Sequence, residues 1–350
     1  MRRIGLFVVG ALLASSAAAC GGGADAKSGA ATLRLGYFAN VTHAPAIVGV
    51  RKGFFTEKLG SVQLKTQTFN AGPAAIEALA AGSIDAAYIG PNPAINMFVR
   101  SKRAALRIVA GSTSGGAALV VRSDLPITSA ADFRGRKVAT PSLGNTQDVA
   151  LRAWLADAGL KTDPLRGGDV TIVPTENATT LQLFQDKKLD AAWVPEPWAS
   201  RLVLEGGGKV LVDERTLWPQ GRFVTTHLIV ATKYLERNPA VVTRMLEAHV
   251  QATQWIAANP AAAKTVVNDG LLELTQKKLQ MPTLDRAFTQ LEFTVDPVAT
   301  SLAESAADAM KADLLEDADL KGIYDLRLLN QVLAAAGAPA VSDGGLGAGQ

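Results

Sequence analysis

The residues best placed to do chemistry in this chain stand where loops open into helices. Gly72-Pro73, Asn92-Pro93, Asn145-Thr146 and Pro197 each lead into a run with helical apolar spacing, with Asn92 suited to cap its helix and Pro73 suited to a first helical position. A helix start offers unpaired backbone N–H groups and partial positive charge, worth roughly 0.3–1 kcal/mol to an anion at a surface and up to about 2 when partly buried. Three or four such starts facing one cleft would offset much of an anion's desolvation. Asn40, His43, Asn92, Ser114, Asn145, Thr146, Thr225, Thr226 and His227 could add directed hydrogen bonds, and Trp198 an apolar wall. Glu196 has two readings: a carboxylate that would hold a ligand ammonium and repel a bare anion, or an acidic residue favoured in a first helical turn. His249 shares an apolar face with Val242, Met245, Leu246 and Val250 and reads as a core residue.

Catalysis has no visible constellation. Neither a Walker-type phosphate loop nor a G-x-S-x-G elbow is present, and three scattered histidines with one cysteine argue against a transition-metal cage. No cofactor motif was found, so none is expected. The formal charge of +3 includes Arg2 and Arg3 in a leader; without them 33 basic residues face 32 acidic ones, which leaves no nucleic-acid footprint.

The elements that must position these loops form a repeat. Asp85-Ala-Ala-Tyr-Ile89 returns as Asp190-Ala-Ala-Trp-Val194, and at the same offset of 105 residues Ile76, Leu79 and Ile84 match Leu181, Phe184 and Leu189. Each copy reads as strand, helix, strand (Val62–Phe69 to Ile84–Ile89; Val170–Val173 to Leu189–Val194), which requires a parallel sheet. In open α/β sheets the loops after such strands are where ligands bind. Leu106–Ala110 reads as a further strand, Gly111–Gly116 as a loop, Ala117–Val121 as a first crossing between two lobes and Phe223–Val230 as the return. Length (350 residues), 48% hydrophobic and 19% charged content suit two globular lobes.

Arg2-Arg3, an apolar run from Ile4 to Ala14 and small residues up to Cys20 form a secretory leader too short to span a membrane. Cys20, the sole cysteine, ends Ala17-Ala-Ala-Cys20, which resembles a lipobox apart from Ala17, where leucine is more usual; an ordinary signal-peptidase site is the alternative. The expected organisation is a signal peptide over 1–19, a lipidated Cys20 with a flexible tether over 20–31, and a first lobe in two parts, 32–117 and 224–336. The second lobe spans 118–223, and an unstructured tail 337–350.

Leu35-Gly-Tyr-Phe38, His43-Ala-Pro45, Ala71-Gly-Pro73, Ala81-Gly-Ser-Ile-Asp-Ala86, Ile89-Gly-Pro-Asn-Pro93 and Asp190-Ala-Ala-Trp-Val-Pro-Glu-Pro-Trp198 together resemble the substrate-binding proteins of nitrate/sulfonate/taurine-type ABC importers. The aliphatic-sulfonate binders are the branch most similar to it. The resemblance implies a type II periplasmic-binding fold: two Rossmann-like lobes joined by two crossings, with C-terminal helices packed on the first lobe. It also implies a small organic anion as ligand, most simply a sulfonate, and a permease with its ATPase as partners of a membrane-anchored monomer. Nitrate, bicarbonate, taurine and thiamine-precursor pyrimidines are alternatives on the same scaffold, and an enzyme or sensor is the reading of a different class. By position the resemblance carries over the Ala71–Pro73 loop, Asn92, Gly144, Asn145, Thr146, Gln147, Glu196 to Trp198 and Thr225 to His227 as ligand contacts.

Overall fold

The computed structural model describes residues 31–164 and 167–348; the leader, Cys20 and the tether up to residue 30 lie outside the described residues. The first lobe begins with β1 (Thr32–Phe38), α1 (Ala44–Arg51), α2 (Phe54–Leu59), β2 (Gln63–Phe69), α3 (Gly72–Ala80), β3 (Ala86–Ile89), α4 (Pro91–Arg100) and β4 (Leu106–Gly115). The second holds β5 (Ala117–Arg122), β6 (Lys137–Thr140), α5 (Thr146–Asp157), a short hairpin of β7 (Thr162–Asp163) and β8 (Gly167–Gly168), β9 (Thr171–Pro174), α6 (Asn177–Gln185), β10 (Ala191–Pro195), α7 (Trp198–Leu204) and β11 (Gly208–Asp213). The chain then returns through β12 (Val224–Ala231), α8 (Thr232–Arg237), α9 (Pro239–Ala258), α10 (Pro260–Thr275), α11 (Met281–Thr289), β13 (Leu291–Phe293), α12 (Thr300–Lys311) and α13 (Arg327–Ala335). The helical run after β1 is broken at Lys52-Gly53 into α1 and α2.

Two mixed sheets result, ordered β13-β4-β12-β3-β1-β2 and β11-β5-β10-β6-β9. Their plans match. A parallel trio (β2-β1-β3; β9-β6-β10) is flanked by one antiparallel strand on the side of its third member, β12 in the first sheet and β5 in the second. The repeated Asp-Ala-Ala phrase does the same work twice. Asp85 accepts the Arg34 N–H of β1 at 2.8 Å and Asp190 the Lys137 N–H of β6 at 2.8 Å. Ala86 and Ala87 then pair with Leu35 and Gly36, as Ala191 and Ala192 pair with Val138 and Ala139.

Side chains alternate along β5 and β10, so the second sheet is buried on both faces: Leu119, Val121 and Trp193 enter one core, and Val120, Ala192 and Val194 the other. The first lobe has a larger core that includes Tyr88, Phe98, Leu228 and Leu246. His249 is buried there, its ring bonded to the Tyr88 hydroxyl at 2.9 Å and the Gly111 carbonyl at 2.8 Å.

Four segments differ from expectation. Gly111–Gly115 is strand, held between β12 and β13, despite its poor β-propensity. Gly111 is required there, because a Cβ would fall 2.0 Å from the Asp296 carbonyl oxygen. Consequently Ala117–Val121 and Phe223–Val230 are not the crossings themselves, and each strand lies within one sheet. The chain passes between lobes at Gly115-Gly116, both with left-handed φ (76° and 74°), and again between Asp213 and Phe223. The tail expected to be unstructured is docked up to residue 348. Val341 and the Asn330 side chain exchange two hydrogen bonds, Leu346 and Ala348 pair with the Gly322–Tyr324 backbone, and Ala338, Val341 and Leu346 pack against the first-lobe core. Helices α9, α10 and α13 pack within the first lobe, whereas α11 also lies against α7 and α12 against α5 of the second.

Candidate functional site

The two lobes meet over a cavity lined by Phe38, Asn40, Thr42 and His43 ahead of α1, Asn70–Gly72 at α3, Gly90 and Pro93 at α4, Pro141 and Asn145–Gln147 at α5, Asn177 at α6, Pro195 beyond β10, and Thr225 and Thr226 on β12. Five helices of eight or more residues thus point their N-termini at one space, three from the first lobe and two from the second. The loops converge because each follows the C-terminal end of a parallel strand in matched sheets. Close approach needs small residues. A Cβ on Gly72 would lie 2.3 Å from the Pro93 ring, so this glycine lets the starts of α3 and α4 touch.

The cavity holds about 40 Å³, on the measure by which one water needs about 10–15 Å³, which is room for a head group of a few heavy atoms. A second space of about 230 Å³ shares Asn40, Asn70 and Asn177 with it and adds Phe69, Glu176, Trp198, Arg201, Leu271, Lys277 and Leu279. Two hydrogen bonds join the lobes at this boundary: Trp198 Nε1–H to Asn40 Oδ1 at 2.9 Å, and Asn70 Nδ2–H to Glu176 Oε1 at 2.8 Å.

Among the described residues, no charged side chain lines the inner cavity. His43 is neutral there: burial lowers its pKa to about 3, its ring stacks on Phe38 with centroids 4.4 Å apart, and its Nδ1 accepts the Phe38 N–H at 3.3 Å. Asn145 caps α5 by accepting the Asp148 N–H at 3.0 Å and donates to Gln147 Oε1 at 3.0 Å. Thr225 donates its hydroxyl to the Gly115 carbonyl, tying the cavity wall to the crossing.

Of the residues expected at the site, Asn40, His43, Gly72, Asn145, Thr146, Gln147, Thr225 and Thr226 line the inner cavity, and Trp198 lines the outer space. The others stand elsewhere. Gly90, not Asn92, occupies the cap position of α4, and Asn92 faces inward to donate to the Ser305 carbonyl at 2.9 Å. Ser114 is a buried residue of β4. Pro73 and Gly144 flank an outer groove beside Leu143. His227 turns to the far side of β12, bonded to the Pro297 carbonyl at 3.1 Å and set edge-on to Tyr324.

Glu196 is buried behind the cavity, where it accepts the Ser200 N–H and hydroxyl, both at 3.0 Å, and faces Arg286 of α11 at 3.5 Å. Burial raises its pKa against the opposing pull of those donors. It therefore lines neither space, and its oxygens are already engaged. Phe38, Thr42, Asn70, Pro141 and Asn177 complete the lining without having been singled out, together with Gly90 and Pro195, which open the two differing segments that follow the repeated phrase. The repeat carried the signal: at its offset of 105 residues Gly72 matches Asn177, Gly90 matches Pro195, and Asn40 matches Asn145.

The chain is similar to known proteins in sequence and in fold. A protein of Brucella abortus (strain 2308), provisionally named a binding protein, is 31% identical over 231 residues, 65% of this chain and 68% of its own length. A protein of Escherichia coli (strain K12), provisionally named an aliphatic sulfonates-binding protein, is 32% identical over 186 residues, 53% of this chain and 54% of its own. Among solved structures, the alkanesulfonate-binding protein SsuA from Xanthomonas axonopodis pv. citri, bound to MOPS, superposes with a TM-score of 0.68 at 21% identity, over 82% of this chain and 95% of that one. The NMT1-like family matches residues 26–268, and the chain belongs to that family, with a periplasmic-binding-protein fold.

Proposed function

We propose that this solute-binding protein captures an aliphatic sulfonate between its lobes outside the cytoplasm and delivers it to the permease and ATPase of an ABC importer. The observation that carries this reading is the convergence of five helix N-termini and a set of neutral amides and hydroxyls on one cavity without a carboxylate. A sulfonate remains ionised at physiological pH and presents three acceptor oxygens to such donors. The inner space suits its head group, and the adjoining space beside Phe69, Trp198, Leu271 and Leu279 suits an alkyl tail.

The same small inner cavity favours, as a second reading, a compact anion such as nitrate or bicarbonate with nothing in the outer space. A thermal-shift panel of alkanesulfonates, taurine, nitrate, bicarbonate and pyrimidines separates these. A ligand at a hundred times its dissociation constant adds about 2.7 kcal/mol, a shift of several degrees. Alkanesulfonates are expected to give it; a shift with another class and none with any sulfonate overturns the substrate. Recovery of a chemically altered ligand would overturn binding without catalysis.

The lipobox-like Ala17-Ala-Ala-Cys20 supports anchoring through a lipidated Cys20, with more than one acyl chain needed for stable attachment. Wild type is expected in the membrane fraction and Cys20→Ser in the soluble one. Continued membrane partitioning of the variant would exclude a lipid at that residue.

A further inference from the structure

Hydrogen bonds already made inside the cleft fix which atoms are left for a ligand. His43 receives the Phe38 N–H on Nδ1, so the proton of its neutral ring sits on Nε2 and makes that nitrogen a donor. Asn40 receives the Trp198 indole N–H on Oδ1, which leaves its Nδ2 hydrogens uncommitted. Gln147 receives the Asn145 amide on Oε1, which does the same for its Nε2. All three residues line the inner cavity.

Among the described residues no carboxylate lines the inner cavity. Glu196 accepts from Ser200 and faces Arg286, and Glu176 of the outer space receives the Asn70 amide. The outer space also carries Arg201 and Lys277.

We infer that the cleft reads its ligand as an acceptor only, through His43 Nε2–H, Asn40 Nδ2–H and Gln147 Nε2–H, and discriminates against sulfonates that carry an ammonium group. The inference rests on the sulfonate reading and narrows it. An aminoalkanesulfonate would bring its ammonium into an outer space where Arg201 is paired with Glu205 at 2.8 Å, Glu176 is held by Asn70 and Lys277 adds a further cation, at the cost of its hydration. His43 is then a head-group donor, its tautomer set by the β1 backbone.

Titration calorimetry on the full chain with propane-1-sulfonate and 3-aminopropane-1-sulfonate tests this. The amino compound is expected to bind at least about 10-fold more weakly; equal or tighter binding overturns the discrimination while leaving the sulfonate reading intact. If no sulfonate binds and another member of the panel does, the sulfonate reading falls. The acceptor-only inference then survives if that binder lacks an ammonium group and fails if it carries one. For the donor assignment, His43→Phe keeps a ring against Phe38 and removes the Nε2–H. Its expected loss in affinity for the bound anion is about 10- to 100-fold, with the unliganded melting temperature within a few degrees of wild type. Unchanged affinity in a folded variant overturns the role of His43.

Discussion

Acidification from pH 6 to pH 5 is expected to lower the stability of this protein by about 1–3 kcal/mol, before most carboxylates titrate. The cause is three histidines buried without charge. Desolvation lowers His43 to about 3, and His227 and His249 to about 4, the last two against backbone carbonyls that pull the other way. A depressed folded-state pKa contributes stability that is fully present above the unfolded value near 6.5 and is lost as pH falls through the folded value. Glu214 acts in the opposite sense. Burial raises it to about 7 although the Trp193 indole donates to it at 2.7 Å, so its contribution is present below its unfolded value and lost as pH rises through the folded one.

Glu196 and Asp308 are also raised by burial and act with Glu214. Between about pH 5 and 6 the unfolded chain therefore binds three more protons on histidine and fewer on these acids, a net of one or two. Calorimetric melting at pH 5, 6 and 7 should show a melting temperature that rises by a few degrees per unit across the lower interval. A flat or falling profile there would mean that the histidines are charged in the folded state.

Much of the fold could be read before any coordinates because the two lobes spell the same unit. The aspartate that fastens each third strand, the alanines that pair behind it and the apolar helix positions all recur at one offset. The crossings were harder to place. Gly111–Gly115 has the composition of a loop, and only β12 and β13, brought from 110 to 180 residues away in the chain, make it a strand. Long-range pairing of this kind overrides local propensity and leaves no local trace.

The site was legible to the level of loops and less so to the level of side chains. Asn92 and Glu196 sit beside helix starts as expected, but one amide is taken by Ser305 and one carboxylate by Ser200 and Arg286, partners contributed by α12, α7 and α11. Strand alternation puts His227 behind the cavity that Thr226 lines, whereas the adjacent Thr225 and Thr226 both line it where the pairing of β12 with β4 shifts register. Such orientations depend on packing against distant helices, which sequence spacing does not encode.

Closure of the lobes should be separable from their folding at Gly90. This residue begins α4 in the first lobe, and a Cβ placed on it would lie 2.4 Å from Thr146 Oγ1 in the second lobe. Its backbone angles, φ −69° and ψ 160°, suit any residue, so a side chain there brings no local strain. Gly90→Val should therefore leave the melting temperature of the free protein within a few degrees while it props the cleft open. Overpacking of about 1–3 kcal/mol charged only to the closed state corresponds to a loss of roughly 5- to 150-fold in affinity.

Thr146→Ala removes the opposing hydroxyl and should return part of that loss in a double-mutant cycle, since the two positions touch only across the cleft. Solution scattering supplies the independent check: wild type becomes more compact with ligand and Gly90→Val does not. A variant that binds and compacts like wild type would show that the approach of Gly90 to Thr146 plays no part in closure.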